Sequence, residues 1–352
     1  MRYLLIICTV IFVYGCKKKT LPEATGTVGD LVIFTDDQTN SETSKTITEL
    51  LGSAVPYLTD NEPWFNIEKP NPEQFEESFK TKKNVLVLVT ESNSEILGSA
   101  LDGFNKDSIK ILINNSASAP VFKRDIFAKH QVVGYIFGKD SKDISRKIAE
   151  NRQSLFDMLS AMTLKTENEN LFSDTSSNSV YFKKFKVEFG VGVSIPKDYK
   201  LMKSGNGFYW FQKDVKNAEQ GDRTIGLIVH GYFSSDSSFS EKDIVRMRDS
   251  FNRINIPFGE VPGTYVSTSN SSRFPARTLQ LLPSNDGSRN LMLRGWWSVK
   301  GATDVYGPFV RYIRENAINK SVFAFEGFVY KPGKNAKLSD LREIEAIALS
   351  IK

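Results

Sequence analysis

The chain has 352 residues, of which 40% are hydrophobic and 25% are charged, and its formal net charge is +5. This length and apolar content suffice for two domains with hydrophobic cores of ordinary size. The net charge is small and no basic stripe is interleaved with aromatic residues, so the sequence gives no support for nucleic-acid binding.

The N-terminus has the pattern of a secretory signal that ends at a cysteine. Arg2 is followed by an apolar run of eleven residues from Leu4 to Tyr14, and then by Gly15-Cys16. A membrane-spanning helix needs roughly 20 residues, so a secretory signal is the better interpretation of this run. The Gly-Cys ending resembles the lipobox of bacterial lipoproteins, in which the cysteine thiol takes a diacylglycerol and the chain is cut just before it.

We therefore expect residues 1–15 to be a signal peptide, Cys16 to be lipidated and residues 16–29 to be a tether to the membrane. A secreted protein in which Cys16 is incidental is the alternative. Because Cys8 lies in the removed segment, a lipid on Cys16 would leave no free thiol for a disulfide, a nucleophile or a metal. Lys17–Lys19 follow the cysteine where surface-exported lipoproteins carry acidic residues. This favours the periplasmic side of a bacterial cell envelope.

The first domain, residues 30–164, is predicted to be an α/β domain. Its predicted strands are Leu31–Phe34, Val85–Thr90, Ile109–Ile113 and Val132–Phe137. Apolar residues from Ile47 to Leu58 recur at helical spacing, which predicts a helix. Thr46 and Glu49 are spaced as a capping box, a start one turn earlier is the alternative, and Pro56 should end or kink the helix. A longer helix is predicted from Ser141 to Met162.

Residues 165–179 consist largely of Thr, Glu, Asn and Ser, a composition typical of linkers, so the domain boundary is predicted there. In the second domain, residues 180–352, strands are predicted at Val187–Ile195, Phe208–Gln212, Thr224–Tyr232, Thr278–Leu282, Leu291–Val299 and Val322–Tyr330. One helix is predicted after Ser240, with Asp243 at capping-box spacing, and another at the C-terminus. The pattern indicates an α+β fold of two domains, each a mainly antiparallel or mixed sheet with helices packed on it.

Six short segments stand out in the mature chain: Leu21–Gly26, Glu62–Phe65, Pro262–Tyr265, Arg294–Trp297, Gly307–Phe309 and Phe328–Pro332. Together they resemble the characteristic motifs of an uncharacterised lipoprotein family of Bacteroidetes-type bacteria, a domain of unknown function. The resemblance implies no activity, because none is established for that family. The second half is also similar in layout to PsbP/Mog1-like domains, which implies an accessory binding module rather than an enzyme.

The candidates for catalysis are few. His230 ends a predicted strand and could act as a general base, although a lone strand-end histidine is more often structural. Asp36 and Asp37 are adjacent, so on a strand they would point to opposite faces, which argues against their acting together as a glycosidase pair. Histidine spacings of the zinc type and a phosphate-binding loop are missing from the sequence. We expect no metal and no cofactor.

The candidate ligand-binding residues are aromatic and lie around one predicted strand. Trp296 and Trp297 follow Arg294, and neighbouring strand residues face opposite ways. One tryptophan is therefore expected in the core and the other on an exposed face beside Arg294 and Tyr265. Phe309 is predicted to lie in a nearby loop. These residues would form a platform for a sugar ring, a peptide or a lipid tail, and core packing of each is the alternative.

The sequence thus favours a membrane-anchored cell-envelope lipoprotein that binds an envelope protein or a glycan without catalysis. The first alternative is an envelope hydrolase that uses His230 or a carboxylate pair in a cleft. The second alternative is a carrier of a lipid or another small apolar molecule, which would need a cavity in an aromatic-lined sheet.

Overall fold

The computed structural model describes residues 21–35, 42–95, 97–115, 119–173, 179–205, 207–216, 221–233, 239–258, 262–284, 286–301, 305–316, 320–333 and 336–352. Cys16, Asp36, Asp37 and the predicted signal peptide lie outside these residues. Of the helices that the structure describes, none has the length and apolar content that crossing a membrane requires.

In the described part of the first half, five strands form a mixed sheet in the order β2-β1-β3-β5-β4. The strands are β1 Asp30–Phe34, β2 Asn66–Glu68, β3 Asn84–Val89, β4 Val121–Arg124 and β5 Val132–Phe137. The pairs β1–β2, β1–β3 and β3–β5 are parallel, and β4 is antiparallel to β5. Separate apolar clusters cover the two faces, which is why β3 and β5 are continuous apolar runs.

The helices of this half are α1 Glu42–Leu51, α2 Pro72–Gln74, α3 Lys106–Asn114, α4 Ser141–Glu150 and α5 Arg152–Leu171. A short π-helix, Phe75–Phe79, follows α2, and a short 3-10 helix spans Gly98–Leu101. The alternative start is confirmed, because α1 begins a turn earlier, so Thr46 lies inside the helix and does not cap it. Helix α1 ends at Leu51, so Val55 and Leu58 are not on its apolar face and pack instead in the core of the second half.

Two further predictions for this half are corrected by local structure. Residues Ile109–Ile113, predicted as a strand, belong to α3, whose N-terminus is capped by the Asn105 side chain accepting from the Ser108 backbone N–H at 2.7 Å. The single helix predicted from Ser141 to Met162 is two helices, α4 and α5, which are separated at Asn151.

The first part of the predicted linker is also corrected, since residues 165–171 are the last two turns of α5, while residues 174–178 lie outside the described residues. Their polar side chains serve the fold rather than solvent. Glu167 forms an ion pair with Lys83 at 2.6 Å, and Glu169 pairs with Arg124. The polar composition of residues 165–171 therefore belongs to the end of a helix that is held to the first half by ion pairs.

In the described part of the second half, eight antiparallel strands form one sheet in the order β10-β11-β12-β13-β8-β7-β6, and β9 pairs with β11. The strands are β6 Lys200–Gly205, β7 Phe208–Val215, β8 Arg223–Phe233, β9 Tyr265–Thr268, β10 Thr278–Leu282, β11 Arg289–Lys300, β12 Tyr306–Asn316 and β13 Ser321–Tyr330. The α+β class is confirmed.

Helices cover both faces of this second sheet. They are α6 Ser179–Phe189, α7 Glu241–Asn255 and α8 Leu338–Ala348. Helices α6 and α8 pack on one face, and α7 packs on the other. The predicted capping box is present, because Ser240 accepts from the Asp243 backbone N–H and the Asp243 carboxylate accepts from the Ser240 N–H.

Two predictions at strand positions in this half are wrong. The strand predicted at Val187–Ile195 does not form, because residues 187–189 are the end of helix α6 and residues 190–195 form no strand. In α6, Tyr181, Phe185 and Phe189 recur every four residues and pack on the sheet. Phe309 lies in strand β12 rather than in a loop. Pairing of β12 with β13 starts only at Phe309, so the preceding Pro308 breaks no pairing on that side.

The two halves contact each other through α8. The Arg342 guanidinium donates to the Val28 carbonyl at 2.9 Å and to the Trp64 carbonyl at 2.6 Å. Asn168 of α5 donates to the Ala346 carbonyl at 2.8 Å. In these bonds, side chains of one half donate to carbonyl groups of the other, so α8 joins the two halves through hydrogen bonds while its apolar residues pack in the core of the second half.

Candidate functional site

His230 lies in a buried network of charges between α7 and the second sheet. Arg248 donates to the Glu326 carboxylate through Nε at 2.9 Å and Nη2 at 2.7 Å, and both side chains are 0% exposed. Arg311 donates to the same carboxylate at 2.9 Å and to His230 Nε2 at 2.8 Å. Burial alone would raise the pKa of Glu326, but the two guanidinium groups outweigh burial and lower the pKa.

The protonation state of His230 follows from this geometry. A guanidinium can only donate, so His230 Nε2 must accept and the ring is neutral with its proton on Nδ1. Burial, together with the charge of Arg311, lowers the pKa of His230 well below 6.5. The ring stacks on Phe251 with centroids 4.0 Å apart, and the residue is 2% exposed. The lone pair that a general base would use is occupied, so His230 holds the sheet to α7.

The predicted aromatic platform is not formed, because the structure buries its tryptophans on opposite faces of the sheet. Trp296 and Trp297 are each 1% exposed. Trp296 packs on the α8 face and donates from Nε1 to the Tyr57 carbonyl at 3.0 Å. Trp297 packs on the α7 face together with Phe309. Strand alternation was predicted correctly, but helices cover both faces and leave neither tryptophan exposed.

Arg294 and Tyr265, the other residues of the predicted platform, do not form a common exposed surface with a tryptophan. Arg294 is on the Trp296 face, where its Nε donates to Glu345 of α8 at 2.7 Å. Burial would lower the pKa of Arg294, but the Glu345 charge outweighs burial and raises it. Tyr265 is half-buried and pairs with Lys300 at the end of β11. Arg294 is therefore a structural ion-pair residue that joins β11 to α8.

A pocket does open on the Trp297 face, below the segment that follows α7. Its volume is about 280 Å³. The lining residues come from β7, β8, β9, β11, β13 and the segment after α7; they are Trp210, Gln212, Thr224, Ile256, Pro257, Phe258, Val266, Trp297, Phe328 and Tyr330. This set contains no ionisable group other than the phenol of Tyr330. We call this site the aromatic pocket.

Two glycines make room for the rings of the aromatic pocket. A Cβ on Gly226 would overlap the Phe328 ring, so its absence lets that ring lie across β8. A Cβ on Gly307 would overlap the Val329 carbonyl oxygen and would lie 2.9 Å from Trp297 Nε1. The sequence signal for this site was therefore a pair of glycines opposite aromatic residues on neighbouring strands.

Polar groups of the aromatic pocket fall into two kinds. Thr224 and Gln212 both donate to Asp214, so their donors are already used. In contrast, the Nε1 atoms of Trp210 and Trp297 are buried and have no acceptor among the residues that the structure describes. An unsatisfied buried donor costs about 1–3 kcal/mol, so the fold retains two costly groups at this one place.

A second cavity, of about 390 Å³, lies between the two halves. We call it the interdomain cleft. The first half contributes Thr27, Gly29, Asp30, Glu62, Pro63 and Asn66, and the second half contributes Lys331, Ala336, Leu338 and Ser339. Unlike the aromatic pocket, it carries carboxylates and an ammonium group. Within the described residues, no three His, Cys, Asp or Glu side chains lie close enough together to hold a metal ion.

Sequence comparison finds a match to a different family model in each half of the chain. Residues 24–172 match the family model described as "Domain of unknown function (DUF8532)", and residues 178–350 match "Domain of unknown function (DUF4837)". Each model covers less than half of the chain, and both describe domains of unknown function, where the sequence predicted one such family over the mature chain. The bacterial group and the lipoprotein character stay predictions. No curated protein matches the chain at a significant level.

Solved structures with a PsbP or Mog1 fold are weakly similar. Cyanobacterial PsbP (CyanoP) from Synechocystis is 13% identical, with 46% of this chain and 86% of that chain covered and a TM-score of 0.27. The Ran-binding protein Mog1p from Saccharomyces cerevisiae is 6% identical, with 46% and 89% covered and a TM-score of 0.27. At these scores the likeness says nothing about what this chain binds.

Proposed function

We propose that the chain is a lipid-anchored cell-envelope protein whose second half binds a small, uncharged, largely apolar ligand and catalyses no reaction. The aromatic pocket carries this proposal. It combines five aromatic residues, Trp210, Phe258, Trp297, Phe328 and Tyr330, with two indole donors that have no acceptor in the described residues. The envelope protein or glycan proposed from the sequence would be a further partner of the same anchored chain.

The chemistry of the aromatic pocket selects the ligand class. No charged side chain lines the cavity, so an ionised ligand would lose its hydration without gaining a partner. The volume is near the lower end of the roughly 300–1,000 Å³ typical of small-molecule sites, which suits one or two fused rings or a short acyl segment. A carbonyl or ether oxygen on the ligand would give an indole N–H its acceptor.

The anchoring part of the proposal is supported by the sequence of residues 1–16. A basic start, a short apolar run and Gly15-Cys16 together favour lipidation at Cys16, and two acyl chains on one residue anchor a protein stably. We expect the wild-type chain in the membrane fraction with a diacylglycerol on Cys16, and Cys16→Ser in the soluble fraction. Mass spectrometry of the mature N-terminus would contradict anchoring if Cys16 were found unmodified.

The binding part can be tested with prodan, an uncharged naphthalene that carries a ketone and changes its emission in apolar surroundings. We expect the soluble Cys16→Ser chain to bind prodan, and Trp210→Ala to weaken binding at least tenfold, because one wall of the aromatic pocket is removed. Tyr312→Ala is the matched control, since Tyr312 is a half-buried aromatic residue packed against the core on the opposite face of the same sheet. Equal binding by the two variants would refute the proposed site.

A conservative change separates a binding role from a structural role. Trp210→Phe removes the unpaired N–H but keeps an aromatic ring. We expect the melting temperature to be unchanged or higher, because an unsatisfied buried donor is lost, while prodan binding weakens several-fold. A lower melting temperature with unchanged prodan binding would show that the indole N–H serves the fold and not a ligand.

A further inference from the structure

The interdomain cleft has a carboxylate that the fold only half uses. Glu62 Oε2 accepts from the backbone N–H groups of Lys337 at 2.7 Å and Leu338 at 2.9 Å, at the start of α8. Glu62 Oε1 has no hydrogen-bond partner in the described residues, although Glu62 is only 7% exposed and lines the cleft. A buried carboxylate oxygen without a donor is costly, so a ligand that brings a donor would be bound favourably.

A second carboxylate borders the same cleft. Asp30 Oδ2 accepts from the Thr27 backbone N–H at 2.7 Å, and its Oδ1 is 3.5 Å from the Asn66 side-chain nitrogen, which is a marginal hydrogen bond. A carboxylate has about four acceptor positions, so Asp30 also has acceptor capacity to spare. The wall of the cleft formed by the first half therefore offers acceptors and negative charge.

The ammonium group on the opposite wall is already engaged. Lys331 Nζ donates to the Ala336 carbonyl at 2.5 Å and is 3.6 Å from Asp340 Oδ2. Asp340 is also paired with Arg223 at 2.7 Å. Lys331 and Arg223 thus share the Asp340 carboxylate. The charges of Lys331 and Lys337 also act on Glu62, but no cation among the described residues donates to Glu62 Oε1.

We infer that the interdomain cleft binds the ammonium group of a small organic amine. An ammonium group has three donors and one positive charge, which match the spare oxygens of Glu62 and Asp30. A metal ion would need more ligands than the cleft supplies, since no group of three ligating side chains occurs in the described residues. The amine could be a free molecule or a lysine side chain of a peptide, and both present the same group.

This site is independent of the aromatic pocket, with which it shares no lining residue. The two proposals therefore stand or fall separately. Trp210→Ala, which removes a wall of the aromatic pocket, should leave amine binding unchanged. Loss of amine binding in that variant would mean that the two cavities do not act as separate sites.

Isothermal titration of the soluble Cys16→Ser chain tests the inference. The probe is 1,5-diaminopentane, the uncharged comparison is 1,5-pentanediol, and N-acetyl-lysine methylamide represents a lysine side chain. We expect the diamine to bind and the diol not to bind. Binding of the lysine compound as well would indicate a peptide source, and its failure to bind would indicate a free amine. If the diamine does not bind, or binds no better than the diol, the inference is wrong.

Matched variants locate the binding. Glu62→Gln keeps an oxygen for the two N–H groups of α8 and removes the charge, so diamine binding should weaken at least tenfold. Glu68→Gln is the control, because Glu68 is a carboxylate on neighbouring β2 that pairs with Lys82 and does not line the cleft. Asp30→Asn provides the same test if Glu62→Gln does not fold. Equal affinities in the cleft variant and the control would overturn the inference.

Discussion

The buried histidine makes the stability of this protein depend on pH in a calculable way. His230 is neutral in the folded state, because burial and the charge of Arg311 hold its pKa well below 6.5. In the unfolded chain the same ring takes up a proton near pH 6.5. Below pH 6.5 the unfolded state therefore binds one proton more than the folded state. The free energy of unfolding that the neutral ring contributes is present above pH 6.5 and is lost as pH falls below that value.

The size of the loss follows from the unfolded pKa alone as long as the folded ring stays neutral. Proton linkage gives about 1.4 kcal/mol at pH 5.5 and about 2 kcal/mol at pH 5.0, relative to pH 7.5. The loss grows until the pH reaches the folded-state pKa. Glu62 and Asp340 act in the opposite direction, because burial raises their pKa values and folding then binds protons.

The contribution of His230 is isolated by comparing the wild-type chain with His230→Gln. A glutamine oxygen can accept the bond from Arg311 Nη2 that His230 Nε2 accepts in the wild type. Urea denaturation at pH 7.5 and pH 5.5 should show that the wild type loses about 1.4 kcal/mol more than the variant. Other titrating groups cancel in this difference. If both proteins lose the same free energy, His230 is not held neutral and the reasoning fails.

Three further changes should alter stability measurably. Glu326→Gln removes the negative charge that two buried guanidinium groups share and should cost about 3–5 kcal/mol in urea denaturation; a cost below about 1 kcal/mol would contradict the buried network. Gly307→Ala places a methyl group against the Val329 carbonyl and should cost about 1–3 kcal/mol, with an unchanged melting temperature as the contrary result. Trp296→Phe removes the hydrogen bond to the Tyr57 carbonyl and should cost at least about 1 kcal/mol, whereas a neutral effect would show that this contact does not join the halves.

Local signals in the sequence predicted many elements correctly. Strand Thr278–Leu282 was predicted with its observed bounds, and the capping box at Ser240 and Asp243 forms as expected. These features depend on residues within a few positions of each other. The errors at α3 and α6 arose where short apolar runs fit a strand and a helix equally well, and where the deciding contacts with a sheet are distant in sequence.

The site could be predicted only in part, because exposure depends on elements far apart in the chain. Alternation along β11 placed Trp296 and Trp297 on opposite faces, as the structure confirms. It could not show that α7 and α8 cover both faces. Residues 165–171 were wrongly predicted as linker for a similar reason, since the partners of Glu167 and Glu169 are distant in sequence: Lys83 directly precedes β3 and Arg124 lies in β4.

The end of β13 connects the two cavities. Tyr330, the last residue of the strand, lines the aromatic pocket, and the next residue, Lys331, lines the interdomain cleft. Successive residues of an extended chain point to opposite sides, so one short segment supplies a wall to each cavity. The segment Phe328–Pro332, which the sequence singled out without a role, therefore joins a cavity built from the second half alone to one that requires both halves. A ligand in the cleft would contact both halves, whereas a ligand in the aromatic pocket would contact only the second.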